Sequence, residues 1–531
     1  MKKTNHFKKI KEALPSVFTL FSATLIVLSF LPGSAHLLIW IALCPWFETL
    51  KRARSRKQAL REGFWLGALM SLGGFFWLVH AIHQYGGFSW FLSFCIFFLG
   101  IGWGELQFSA FSWIAQPLMH KPSSVRLSTQ IALLYTGIDW LTPKLFQDTL
   151  GHTLHQAPHL SQAADLGGVF LLTFLIVYTN HTIWKYFSHR AWKKFQKTEW
   201  TAIAALVSFW IYGSVRLHQL ESLPEKTISV AAIQSNIADF EKIAAKHGSQ
   251  EAGNQILQTF LALTQEAMNH PTPDLVIWPE TAYPSYFRSP QNWSQINLDR
   301  ELEQFLKKMK IPIIFGGYDI SSARTYRETY NGLFLVNPNG DFQTYRKNIL
   351  LPFAEYIPGY QFFPFLKEAF PQIGYFGTGT LNGSLKVQFN HSENAMSITP
   401  LICCEVLFSS FVLKAVDQDK SQLMVNITND SWFGNWGEPQ LHLALASFRS
   451  IENRLPLIRA TNTGISALIL PTGAIVQPTH LNEKCVLKTL VPINRFSRTL
   501  IQVWGDWFGP FALAISFLGS LKLLRKKFTN I

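Results

Sequence analysis

Three segments of this 531-residue chain end an apolar run with a side chain that could do chemistry. In VIWPETAYP (276–284), Glu280 follows a short apolar stretch and a proline. In YRKNILLPFAEYIP (345–358), Lys347 precedes Glu355 by eight residues. In PLICCEVLF (400–408), Cys403 and Cys404 stand where a strand gives way to a helical stretch. A thiol at a helix N-terminus beside a lysine has its thiolate favoured, as a nucleophile requires. A carboxylate could take the thiol proton and later activate an attacking group. An ammonium could stabilise an oxyanion. Each residue alone reads equally well as a surface Glu, a surface Lys or a buried Cys.

The elements that would position them lie between residues 226 and 492. Apolar β-rich runs at 227–234, 275–279, 312–320, 332–338, 397–405, 423–430, 455–462 and 465–471 alternate with helical stretches at 250–268, 300–310 and 440–453. Alternation of this kind predicts an α/β sheet with helix cover. At roughly 270 residues the segment can bury a core of its own. It contains three of the five cysteines, Cys403, Cys404 and Cys485. Adjacent cysteines bridge each other poorly and the count is odd, so at least one thiol is free. Cys44 and Cys95 sit inside apolar runs and read as small core residues.

The rest of the chain is of another kind. The whole carries a net charge of +14 with only 15% charged residues. Residues 217–500 hold 23 Lys+Arg against 24 Asp+Glu, whereas the remainder holds 24 against 9. A basic excess confined to the apolar part is not a nucleic-acid face. Apolar runs at 14–33, 35–50, 63–82, 88–114, 127–142, 165–184, 199–215 and 503–521 approach the length of about 20 residues that crosses a bilayer. Every alternate connection between them is basic, and only Lys144 and Arg216 fall on the other side. The positive-inside rule then predicts about eight transmembrane helices, both termini cytoplasmic and residues 217–500 outside. The division is a membrane domain over 1–216, an outer domain over 217–500, and a last helix with a basic tail over 501–531. The polar residues within spans, Glu105, Asp139 and Asp165, are expected to lie near an interface or to pair with a neighbouring helix.

Taken together, Glu280, Lys347 and Cys403 resemble the Glu-Lys-Cys triad of the nitrilase superfamily. The opening VAAIQSNI, the Trp-Pro-Glu around Glu280 and the acidic Glu405 two residues beyond Cys403 carry the likeness. The superfamily places its nucleophile two residues before an acidic residue, so the resemblance implies Cys403 rather than Cys404. The resemblance implies an αββα sandwich. The segments LLPFAEYIP, NDSWFGNWGEPQLH and RLPLIRATNTGISA, joined to membrane helices, are similar to the apolipoprotein N-acyltransferase family. This implies transfer of an acyl chain from a membrane phospholipid, through a Cys403 thioester, to the N-terminal amine of a diacylglyceryl apolipoprotein. Glu280 would be the base, Lys347 the oxyanion stabiliser and Glu355 the supporting carboxylate. No cofactor, metal or nucleic acid is implied, and the location implied is the bacterial cytoplasmic (inner) membrane.

Trp432, Phe433 and Trp436 suit a substrate-binding lid at the membrane interface, or ordinary core packing. Arg449, Arg454 and Arg459 fit helix ion pairs with Glu452 better than lipid head groups. Two departures from the family pattern stand out: Cys404 replaces the usual aromatic after the nucleophile, and LFQDTLGHTLHQ (145–156) lacks an expected Phe-Pro-Trp. Two rival readings remain at this point, a membrane-tethered amidase that passes the thioester to water and a transporter with a non-catalytic outer domain. The latter would need charged relays and repeats that the sequence lacks.

Overall fold

The computed structural model describes residues 14–31, 33–188, 195–221, 226–237, 249–288, 296–321, 328–371, 373–381, 383–389, 394–416, 420–435, 437–493 and 496–528. They form two compact units, one comprising Met1–Val79, Trp90–His218 and Trp504–Ile531, the other His80–Ser89 and Gln219–Val503.

The first unit is helical among its described residues. Two of its helices, Ala164–Ser188 and Lys197–Glu221, are long and apolar enough to cross a membrane, and a third span results if the bent pair Arg56–Gly74 and Leu78–Gln84 is one. Val17–Ser29, Trp90–Gly100 and Phe508–Gly519 are apolar but shorter. The expected run at 35–50 is broken into a 3-10 turn, Ser34–Trp40, and a helix, Cys44–Arg52, with Pro45 at its first turn. Along Lys197–Glu221, Trp200, Val207, Trp210, Ile211 and Val215 are all exposed. Such a row of bare apolar side chains is stable against lipid and costly against water.

Close helix packing here depends on small residues. A Cβ at Gly63 would stand 2.3 Å from the Phe108 carbonyl oxygen, and one at Gly67 would stand 2.7 Å from Glu105 Cβ. The Gly63 and Gly67 face therefore lets helix Leu106–Ala115 approach backbone to backbone. The acids expected within spans have partners. Lys144 Nζ donates to Asp139 Oδ1 at 2.6 Å, and Arg216 Nε donates to Asp165 Oδ2 at 3.1 Å. Tyr212 adds a hydroxyl to Asp165 at 2.7 Å, while Glu105 accepts from Gln107. Lys144 and Arg216 are the two basic residues that break the alternation of charge, and each neutralises a buried acid. Their placement follows from pairing.

The second unit is built on two six-stranded sheets. The first contains β1 (Thr227–Gln234), β2 (Leu275–Ile277), β3 (Ile313–Ile320), β4 (Thr329–Val336) and β5 (Phe342–Arg346). The second contains β6 (Leu385–Val387), β7 (Met396–Ile402), β8 (Ser421–Thr428), β9 (Leu457–Thr461), β10 (Ala467–Ile469) and β11 (Ile475–Val476). The last strand, β12 (Cys485–Pro492), returns to the first sheet. The spatial orders are β12-β1-β2-β3-β4-β5 and β11-β10-β9-β8-β7-β6. In each sheet three parallel strands, β1-β2-β3 and β7-β8-β9, form the middle and antiparallel strands close the sides.

The alternation along β1 explains the layering. Ala231 and Ile233 face helices α1 (Gln250–Ala267) and α2 (Ile296–Met309), meeting Ile256, Leu257, Phe260, Leu302 and Leu306. Trp278 closes that layer, stacked on Phe260 at 4.9 Å and donating its indole N–H to Thr264 Oγ1 at 2.9 Å. On the opposite side β1 packs on β9 and β4 on β7, so the sheets lie face to face. Helix α3 (Glu438–Asn453) is buried along nearly its whole length and packs on β9. The order is helix, sheet, sheet, helix.

Lys144→Met should leave Asp139 as an unpaired buried carboxylate and destabilise the protein by about 3 kcal/mol. Thermal unfolding of detergent-purified protein checks this, and Lys144→Met with Asp139→Asn should recover most of the loss.

Candidate active site

Three of the four candidate residues follow strand ends. Glu280 follows β2 by three residues, Lys347 is the first residue after β5, and Cys403 is the first after β7. Glu355 sits on the turn beyond Lys347, its N–H bonded to the Leu351 carbonyl at 2.9 Å. The sandwich brings the ends of its two sheets together, so residues more than a hundred positions apart meet.

Lys347 is the centre. It is 2% exposed, and its ammonium stands 2.9 Å from the Glu355 carboxylate and 3.4 Å from Glu280 Oε1. Burial alone would drive off its proton, but Glu355 first and Glu280 next hold its pKa well above the ordinary lysine value. The carboxylates are themselves held. Asn331 Nδ2 donates to Glu280 Oε1 at 2.7 Å and to Glu355 Oε1 at 3.0 Å. The Asn429 N–H donates to Glu280 Oε2 at 2.9 Å, and the Leu351 N–H to Glu355 Oε2 at 2.8 Å. A glycine makes room for this: a Cβ at Gly316 would lie 2.7 Å from both Glu280 Cα and the Thr281 nitrogen. Thr281 itself has φ +52°.

Cys403 is buried and has φ +51°, a left-handed conformation that a residue with a side chain adopts under constraint. The expected helix after it is a five-residue 3-10 turn, Cys403–Leu407, with helix Ser409–Ala415 beyond. The thiolate expected from the sequence is not favoured at rest. The neighbouring Cys404 thiol, burial and the Glu280 charge push the Cys403 thiol well above its usual value, against the opposing pull of Lys347. These influences favour the protonated thiol at Cys403. All five cysteines are free.

Glu405, used above only as a spacing marker, is fully buried and fixes the turn. It accepts from the Ile402 N–H at 2.7 Å, the Asn348 N–H at 2.6 Å and the Tyr345 hydroxyl at 2.9 Å. It thereby ties the Cys403 turn to the Lys347 segment. Burial raises its pKa to about 7 despite these donors. Asn331 and Glu405 are the residues that reading for reactive side chains passed over. Asn331 was legible as the one amide beside an otherwise apolar strand, NGLFLV.

Of the three lid candidates, Phe433 is 6% exposed and points into the interior. Trp432 lies in the 3-10 turn Asp430–Phe433, with its side chain outside the described residues, as is the whole of Trp436. Exposed aromatics occur instead at Phe353, Phe362, Phe363 and Phe365, around Glu355 in sequence. A cavity of about 530 Å³, lined by Asn348, Ile349, Leu350, Tyr356, Tyr360 and Phe376 among others, opens beside the segment that follows Lys347. That volume falls in the range of small-molecule sites. Arg449 pairs with Glu452 at 2.8 Å as helix spacing suggests. Arg454 donates to the Pro471 carbonyl, and Arg459 pairs with Asp430 instead of following that expectation.

Among the described residues Asp430, Glu438 and His442 bring possible ligand atoms within 4.8 Å of one another. Arg459 already donates to two of the three, at 2.7 Å to Asp430 and 3.2 Å to His442, and a guanidinium there excludes a metal cation by charge.

The family model described as Carbon-nitrogen hydrolase matches residues 229–499, so this sandwich with its Glu, Lys and Cys at strand ends is a carbon-nitrogen hydrolase domain. Residues 22–182 match the Apolipoprotein N-acyltransferase N-terminal domain. The chain is 30% identical over 513 residues to the Apolipoprotein N-acyltransferase of Bdellovibrio bacteriovorus, covering 92% of this chain and 90% of that one. It is 28% identical over 527 residues to that of Geobacter metallireducens, with coverage of 96% and 95%. The chain belongs to the apolipoprotein N-acyltransferase family.

Iodoacetamide should modify Cys403 slowly through the range where an ordinary thiol titrates, about pH 8.5. Cys404→Ala removes the largest cause of the upward shift, so the thiolate should form at lower pH. Peptide mass spectrometry across a pH series checks both. An onset near 8.5 in the parent protein contradicts the reading.

Proposed function

We propose that Cys403 carries an acyl chain from a membrane phospholipid to the α-amino group of an N-terminal diacylglyceryl-cysteine, by a ping-pong route. The observation that carries this is a buried thiol beside a lysine shared by two carboxylates, in a chain of this family. Glu280 takes the Cys403 proton as the sulfur attacks the ester carbonyl. Negative charge develops on the carbonyl oxygen, and Lys347 stabilises it. The tetrahedral adduct collapses, the lysophospholipid alkoxide leaves with the proton from Glu280, and a thioester remains. The lipoprotein amine then attacks, gives its proton to Glu280, and expels the Cys403 sulfur, which regains a proton. Glu355 holds Lys347 in place through both halves.

Acyl transfer rather than hydrolysis is favoured by the helical unit and by Phe353, Phe362, Phe363 and Phe365, whose exposure suits a lipid surface better than water. We assign Trp432, Phe433 and Trp436 to substrate binding, a reading supported by the turn Asp430–Phe433 following Asn429, which touches Glu280. For the membrane part we propose about eight spans over residues 1–216 and 501–531. Both termini would be cytoplasmic and residues 217–500 on the outer side of the inner membrane. The alternation of basic connections supports this, and the pairing of Lys144 and Arg216 with buried acids accounts for its two exceptions.

The test supplies phosphatidylethanolamine with a labelled acyl chain and a diacylglyceryl-cysteine peptide. The parent protein should place the label on the peptide in an amide, and Cys403→Ala should place none. Label passing only to water would favour the amidase reading.

A further inference from the structure

The steps above leave unused a group of buried polar side chains behind the nucleophile. Arg459, in β9, is fully buried. Its Nη1 donates to Asn426 Oδ1 at 2.9 Å. Its Nη2 donates to Asp430 Oδ2 at 2.7 Å and Oδ1 at 3.0 Å, and to His442 Nδ1 at 3.2 Å. A guanidinium only donates, so each of these contacts fixes the orientation of its partner.

With Oδ1 turned to Arg459, the Asn426 amide presents Nδ2 to the other side, where it donates to the Cys403 carbonyl at 3.2 Å. Burial and the neighbouring guanidinium hold the His442 pKa well below its usual value, and its Nδ1 lies 3.2 Å from Arg459 Nη2 and 3.1 Å from Glu438 Oε1. In the other direction Asp430, held by Arg459 and by the Thr428 hydroxyl at 2.9 Å, follows Asn429, whose N–H donates to Glu280.

We propose that Arg459 is a positioning residue that sets nucleophile and base together. Through Asn426 it holds the carbonyl of Cys403, and so the left-handed backbone that aims the thiol. Through Asp430 it holds the turn that orients Glu280. The relay crosses the ends of three adjacent parallel strands, β7, β8 and β9, which makes it rigid. A simple buried ion pair would need Asp430 alone. The contact from Arg459 to Asn426, continued to Cys403, gives it a further role.

This rests on Cys403 being the nucleophile. The experiment uses the full-length protein in detergent with phosphatidylethanolamine bearing a labelled acyl chain. It measures single-turnover acylation of the protein, KM for the lipid and melting temperature. Asn426→Ala keeps the Arg459–Asp430 pair, and Asn426→Asp also keeps an acceptor for Arg459 while removing the donor to Cys403. Both should acylate about 100-fold more slowly, the scale expected for a misplaced reacting group, with KM unchanged. Arg459→Lys should lose a similar factor, and the double variant Asn426→Ala/Arg459→Lys should be no slower than the slower single.

Parental rates in both Asn426 variants overturn the proposal, whether or not Arg459→Lys folds. So do losses that multiply in the double variant, or a rise in KM with no change in rate. Absence of label in Cys403→Ala together with parental rates in the Asn426 variants sinks the relay alone. Label retained by Cys403→Ala sinks the assignment beneath it.

Discussion

Burying one ammonium organises this catalytic site. Lys347 loses its hydration almost completely, and the desolvation of a charge costs several kcal/mol unless partners replace water. Here two carboxylates do so, at 2.9 and 3.4 Å. Two carboxylates in turn repel each other and need donors of their own. Asn331 supplies one amide to both, and backbone N–H groups at Asn429 and Leu351 supply the rest. Because those donors belong to strand ends and tight turns, the charges cannot relax apart. The fold thus carries the cost of a preorganised site in its own hydrogen bonding.

The same arrangement sets the state of the thiol. Lys347 pulls the Cys403 pKa down, yet Cys404, burial and Glu280 together push it up further. A buried protonated thiol is a weak nucleophile until its proton has somewhere to go. Glu280, anchored by three donors, is the group on hand to accept it. On the proposed route, coupling proton removal to attack would restrain the sulfur from reacting before an ester is in place.

Much of this was legible in the sequence, and what was not has physical reasons. The β-rich runs at 227–234 and 275–279 and the helix at 250–268 match the observed elements closely, because their apolar periodicity reflects a two-sided buried sheet and an amphipathic cover. Strands β5, β6, β11 and β12 were missed. Phe342–Arg346 is polar, Leu385–Val387 and Ile475–Val476 are very short, and Cys485–Pro492 alternates with exposed positions at the side of its sheet. The sequence reads as about eight spans, whereas among the described residues two helices, or three spans if the bent pair is one, are long and apolar enough to cross a membrane. Breaks at Phe75–Trp77 and at Ile41–Leu43 divide runs that composition alone makes continuous. Glu280, Lys347 and the Cys403–Cys404 pair could be picked out by type and position, while the choice of Cys403 and of Glu355 came from the family resemblance. Asn331 shows only as a lone amide in an apolar strand, and what Arg459 and Glu405 touch across the sandwich does not show in their types or spacing.

The central claim is that Lys347, buried between two carboxylates, allows Cys403 to become acylated. Peptide mapping of the protein after incubation with phospholipid, with no acceptor present, tests it most directly. The account predicts one acyl group on Cys403 in the parent protein, and none on a folded Lys347→Met variant over the same time. An acyl group found on Cys404, or a Lys347→Met variant acylated at the parental rate, would contradict it.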